Sequence, residues 1–261
     1  MNLKYLNLCF IILIALVALT GCERAQKVII DEVPSDTSMD TPPTDVKSAP
    51  AKLIFLIDYT EGGKEDYLAW VASVAPTAQA PEEVIRIRSY DNIDTDVSPN
   101  RLVEFEFGSF ADATTYLNRP EIAAIFADLP NHTNQATTHT FILDIDYTYA
   151  KEEEDDWQIK HVYLIDYLPG GKQAYLAYAQ EISAVLIPPT QLKAIASYDN
   201  YHDESPHRLV ELEFATQEDA EAYHALEAVI QTAEAQPERQ AGNWSQVLHK
   251  FQLHSDYIKE Q

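Results

Sequence analysis

Two pairs of glutamates, Glu104 with Glu106 and Glu211 with Glu213, occupy the same places in two copies of one pattern, Arg-Leu-Val-Glu-x-Glu-Phe. Alternate residues of an extended segment point to opposite sides, so each pair shares one face. The other face is wholly apolar: Val103, Phe105 and Phe107 in the first copy, Val210, Leu212 and Phe214 in the second. An apolar face belongs against helices, which turns the glutamates towards whatever the sheet encloses. The preceding strand adds Arg86, Arg88 and Tyr90 to that inside in the first copy, and Ala194, Ala196 and Tyr198 in the second. Four carboxylates then meet two guanidiniums. Buried charges must be paired or shift their pKa. The pattern therefore predicts an acidic, partly hydrated cavity, roomier beside Ala194 and Ala196, whose guest is cationic or polyhydroxyl. Tyr90 and Tyr198 give it aromatic walls with a hydroxyl to donate. His139 and His249 are expected to begin the last strand of each copy, in line with Phe141 and Phe251. A glutamate raised in pKa by burial would act there as a general base.

Several other chemistries lack their residues. No H-x-H or H-E-x-x-H spacing accompanies the repeated histidines, so no metal is expected. Only seven glycines occur, four of them in two Gly-Gly pairs, and no phosphate-cradling loop can be built from them. No serine sits in a G-x-S-x-G elbow. No cofactor is expected. Against 42 acidic side chains there are 18 basic ones, a net charge of −24. That balance excludes nucleic acid as a partner, which needs clustered Lys and Arg, and a basic patch on anionic lipid.

The chain of 261 residues repeats itself. Ile57-Asp58-Tyr59-x-x-Gly62-Gly63-Lys64 recurs as Ile165-Asp166-Tyr167-x-x-Gly170-Gly171-Lys172, and Ser89-Tyr90-Asp91-Asn92 as Ser197-Tyr198-Asp199-Asn200, both at an offset of 108. Ser98-Pro99 recurs as Ser205-Pro206, and His139-x-Phe141 as His249-x-Phe251. Two modules, 52–148 and 160–257, account for all of these, with an acidic linker at 149–159. Each reads β-α-β-β-α-β. Lys52 to Asp58 and Lys160 to Asp166 are short apolar runs, hence strands. Tyr67, Trp70, Val71 and Val74, like Tyr175, Tyr178, Ile182 and Val185, follow at helical spacing. Ser109-x-x-Asp112 and Thr216-x-x-Asp219 open the second helices as caps, and Pro120 is expected to kink or split that helix in the first module.

This order is the split βαβ of ferredoxin-like modules. The fold class is α+β: two tandem ferredoxin-like βαββαβ modules packing sheet to sheet to form one intramolecular barrel with the helices outside. The chain thereby resembles the dimeric α/β-barrel superfamily as a tandem fusion. That resemblance implies either a binding barrel or a cofactor-independent monooxygenase- or isomerase-like enzyme using Tyr198, Glu211, Glu213 and the two histidines. An envelope protein-interaction module is the third possibility.

The N-terminus carries an address. Lys4 precedes an apolar run from Leu6 to Leu19, shorter than the roughly 20 residues of a membrane span. It ends in Leu19-Thr20-Gly21-Cys22, which resembles the lipobox of bacterial lipoproteins. The resemblance implies a signal peptide over 1–21, removed before Cys22, and a lipidated Cys22 that anchors the chain to a membrane. Residues 22–51, with four prolines among Ser, Thr and Asp, then read as an extended tether. Glu23 after the cysteine leans towards the outer membrane, facing the periplasm, in a Gram-negative cell.

Overall fold

The computed structural model describes residues 46–150 and 157–259. Cys22, the signal segment, most of the tether and positions 151–156 of the acidic linker lie outside the described residues. In chain order the elements are β1 (Ala51–Asp58), α1 (Lys64–Gln79), β2 (Val84–Asn92), β3 (Arg101–Phe107), α2 (Phe110–Leu117), α3 (Pro120–Asp128), β4 (Gln135–Leu143) and β5 (Tyr149–Ala150). They continue as β6 (Ile159–Tyr167), α4 (Gly171–Leu186), β7 (Leu192–Asn200), β8 (Arg208–Phe214), α5 (Gln217–His224), α6 (Glu227–Gln240) and β9 (Trp244–Ile258).

The strands run in the order β4-β1-β3-β2-β9-β6-β8-β7, and a further β4–β7 pairing closes them into an eight-stranded antiparallel barrel. Both halves use one order, β4-β1-β3-β2 and β9-β6-β8-β7. The expected barrel is present, and it closes because the halves join edge to edge. The open backbone groups of β2 find partners on β9, and those of β4 on β7. Closure of this kind removes the exposed edges of each half.

Alternation along β3 and β8 sorts the side chains as their sequence demands. Phe105 and Phe107 pack outward on Tyr67, Tyr116 and Ile122 of the helices, and Phe214 packs on Tyr223 and Val229. Each such buried side chain contributes roughly 1.5–3 kcal/mol. The second helices start at Ser109 and Thr216, whose side chains accept the backbone N–H of Asp112 and Asp219. Pro120 splits the helix of the first half, taking the first turn of α3, where its missing N–H costs nothing. The second half breaks at Leu226 without a proline. At the turn before α4, Gly170 has φ +77°, and a Cβ on Gly171 would collide with the backbone carbonyl of Asn243. Both requirements explain the Gly-Gly pair.

The paired Asp-Asn motifs fasten loops. Asn92 Nδ2 donates to the Pro99 carbonyl at 2.8 Å and Asn200 Nδ2 to that of Pro206 at 2.9 Å. Both Ser-Pro bonds in these loops are cis.

The halves diverge after their fourth strands begin. His139 and His249 do not start those strands. β4 begins at Gln135 and β9 at Trp244, because β1 and β6 extend far enough to pair with these earlier residues. β9 continues to Ile258 and covers β2 over seven register pairs. β4 stops at Leu143 after three pairs with β7, and a 3-10 turn, Ile145–Tyr147, leads off. The start of the expected linker returns as β5, which pairs Tyr149 with Ile195 and Ala150 with Ala194.

Candidate functional site

The barrel interior holds a buried ionic cluster. Glu104 and Glu211 are fully buried, Glu213 is 4% exposed, and Glu106 reaches towards solvent. Their partners were only partly foreseen. Lys52 and Lys160, the first inward-facing residues of β1 and β6, are also buried, and each reaches across the pseudo-twofold axis. Lys52 Nζ lies 2.7 Å from Glu211 Oε2. Lys160 Nζ lies 2.7 Å from Glu104 Oε1 and 3.1 Å from Glu213 Oε1. Each ammonium also sits 4.8 Å from the centre of the other half's tyrosine ring, Lys52 over Tyr198 and Lys160 over Tyr90.

The arginines divide. Arg88 stays inside and pairs with Glu106. Arg86 does not join it, which corrects the expectation that both guanidiniums neutralise the inner glutamates. Arg86 stands in register opposite Glu106 but bonds Asp256 on the long end of β9, with Nε 2.8 Å from Oδ1. Which neighbouring strand supplies the partner cannot be read from alternation along one strand. Among the described residues the interior ledger is therefore four carboxylates against three cations, Lys52, Lys160 and Arg88, rather than four against two.

The missing unit of charge falls on one carboxyl pair. Glu104 and Glu211 share the ammonium groups of Lys52 and Lys160 at the barrel centre. Burial, then the charge of Glu104, pushes the Glu211 carboxyl up to about 7. Burial also works to raise Glu104, but Lys160, Lys52 and Arg88 hold it well below the usual carboxylate range. Glu106 falls to about 2 and Glu213 is lowered, since neighbouring cations outweigh burial at both. One proton, carried on Glu211, makes the interior neutral.

A cavity of about 430 Å³ opens beside this cluster at the incompletely sealed β4–β7 seam. Ala194, Ala196 and Tyr198 form one wall, where the first half carries Arg86, Arg88 and Tyr90. Leu143, Tyr149 and Trp157 form an apolar and aromatic rim, and Lys52, Arg88, Glu106 and Glu213 supply the polar groups. Glu213 Oε2 is buried without a hydrogen-bond partner, and so is Glu211 Oε1. An unsatisfied carboxylate oxygen in a dry wall costs on the order of 1–3 kcal/mol unless a guest donates to it.

Of the residues singled out from sequence, Arg88, Glu106, Tyr198 and Glu213 line the cavity. Glu104, Glu211 and Tyr90 lie behind it in the cluster. Arg86 points elsewhere. His139 and His249 face the interior opposite Ile54 and Val162, do not line the cavity, and are both lowered in pKa by burial. Lys52, Lys160 and Trp157 were missed. The lysines carried a signal: each opens its strand in register with Glu106 or Glu213.

No protein-family model and no curated protein matches the sequence. Solved structures share its fold. A candidate monooxygenase from Fusobacterium nucleatum superimposes with a TM-score of 0.61 at 8% identity, covering 81% of this chain and 95% of that one. An anthrone oxidase-like protein gives 0.58 at 14% identity, covering 81% and 93%. A candidate chlorite dismutase gives 0.56 at 10% identity, covering 80% and 96%. At these identities the likeness is one of fold, the dimeric α/β barrel.

Proposed function

We propose that the protein is a cofactor-independent, enzyme-like barrel that binds a small organic molecule in the seam cavity and moves a proton from it. The observation that carries this reading is Glu213, which lines the cavity beside Lys52 and Arg88 and whose buried Oε2 has no hydrogen-bond partner. An ionised carboxylate with a vacant lone pair accepts a proton from a substrate, and the two cations stabilise the anion left behind. Such an anion either regains its proton at another carbon, which is isomerisation, or gives electrons to dioxygen, which is monooxygenation. The names of the structural neighbours favour the second outcome. Both halves are taken here as ferredoxin-like modules, as their common strand order suggests. Full-length protein is to be screened against enolisable and phenolic compounds for dioxygen uptake and isomer formation. Glu213→Gln should lower the rate by about two to four orders of magnitude. Turnover unchanged by Glu213→Gln removes the assignment.

The barrel is further proposed to work in the cell envelope, held by lipid on Cys22, on the strength of Leu19-Thr20-Gly21-Cys22 at the end of the apolar run. Cys22→Ala should move the chain from the membrane fraction to the soluble one. Retention of that variant in the membrane refutes the anchor.

A further inference from the structure

The two halves of the barrel are each other's control. Strand register places Ala196 opposite Glu211 just as Arg88 stands opposite Glu104. At the place where the first half keeps a guanidinium beside its glutamates, the second half keeps empty space. That space is the seam cavity; Glu213 lines it, and the buried Oε2 of Glu213 has no hydrogen-bond partner.

We propose that the cavity's natural guest is a small organic cation of the guanidinium, amidinium or ammonium class, whose charged group takes the place that an arginine fills in the first half. This rests on the reading that the cavity is the substrate site and adds the substrate's class. Three features of the site fit a planar cation. Among the described residues its interior carries one cation fewer than its carboxylates. Glu213 offers an unmet acceptor. Tyr149, Trp157 and Tyr198 present aromatic faces or edges around it. A neutral guest would satisfy the acceptor and leave the charge ledger as it stands. The proton that Glu213 removes in catalysis is then one on, or adjacent to, the cationic nitrogen, where positive charge makes it acidic.

Facing the Glu104–Glu211 pair are Lys52 from β1, Lys160 from β6 and Arg88 from β2, with Glu106 from β3 and Glu213 from β8. Tyr90 and Tyr198 are raised in pKa by burial and stay neutral. A fourth cation completes the set and leaves Glu211 ionised. Binding near neutral pH therefore releases a proton.

Benzamidine and its neutral isostere benzamide separate the possibilities, titrated calorimetrically into the full chain in detergent at pH 6.5 in two buffers of different ionisation enthalpy. Benzamidine should bind at least about tenfold more tightly, as a charge-assisted contact to a buried carboxylate implies. Its heat should depend on the buffer with the sign of proton release. Ala196→Arg installs the missing guanidinium and should abolish benzamidine binding while melting no lower than the parent. Glu213→Gln, which leaves the cavity open, should weaken benzamidine at least about tenfold and leave benzamide unaffected. Equal binding of the two probes, no binding of either, or no buffer dependence overturns the proposal. A neutral substrate turned over through Glu213 and not inhibited by benzamidine sinks this inference and leaves the proton-transfer reading standing. Benzamidine binding with proton release, but without any Glu213-dependent turnover, does the reverse.

Discussion

Replacing Glu211 with glutamine should make the barrel more stable, and only above pH 5. In the native state its carboxyl titrates near 7, whereas in the unfolded chain it titrates at an ordinary value of about 4.3. The folded protein thus binds more protons than the unfolded one between these limits. Stability from this group is complete below about pH 4.3 and is lost as pH rises through 7. The shift corresponds to a loss on the order of 3 kcal/mol between pH 4 and pH 8. Glutamine keeps the shape and cannot ionise. The variant should match the parent near pH 4.5 and exceed it at pH 8 by that amount, or roughly 6–12 °C in Tm for a domain of this size. Buried histidines, lowered in pKa, push the other way as pH falls, but they are common to both proteins and cancel in the difference. Urea unfolding followed by far-UV circular dichroism at pH 4.5, 6, 7 and 8 provides the comparison. Parallel curves, with a constant gap at every pH, would refute the buried-proton account.

Lys52→Met removes the ammonium 2.7 Å from Glu211 and 3.3 Å from Glu106, leaving Glu211 to Lys160 and Glu106 to Arg88, and should cost about 3–5 kcal/mol in chemical denaturation at pH 7. His161 and His224, 2.8 Å apart between β6 and α5, stand where the first half has Leu53 and Leu117. Burial, then the neighbouring charges, lowers both, His161 to about 3. Stability from them is present above their unfolded pKa of about 6.5 and is lost as pH falls. The double variant His161→Leu with His224→Leu should therefore resist acid better than the parent in melts at pH 4, and His224→Leu alone should lose roughly 1–3 kcal/mol at pH 7 by orphaning His161. Gly171→Ala should lower Tm by several degrees through its clash with the rigid Asn243 backbone. Gly63→Ala meets mainly the movable Thr60 hydroxyl and should cost less, by thermal melting of both.

The repeat, the strand faces and the helix caps were legible in the sequence because each depends on local spacing. Val103, Phe105 and Phe107 declared the helix side, and that fixed where Glu104 and Glu106 must look. Room beside Ala194 and Ala196 followed from comparing the halves. What escaped notice depends on register and on distance across the barrel. Lys52 looks like a strand boundary until β1 is aligned with β3 and found opposite Glu106. Arg86 obeys alternation, standing opposite Glu106, yet it bonds Asp256, which only the junction with β9 brings near. The reach of Lys52 and Lys160 into the opposite half is set by closure of the barrel. The strand ends went the same way: β4 and β9 look alike in sequence over His139-x-Phe141 and His249-x-Phe251, yet one stops early and the other runs on.

The unequal seams have a consequence that reaches past this one cavity. A ring made from two identical subunits is bound by its own rotation axis: any plug or gap at one junction is reproduced at the other. Joining the halves in a single chain lifts that obligation. One junction here is zipped along β2 by a single strand, and the other is pieced together from β4 and then β5, with the cavity beside the break. Each half is then at liberty to specialise, the first as a lock that carries its own counter-ion and the second as a keyhole.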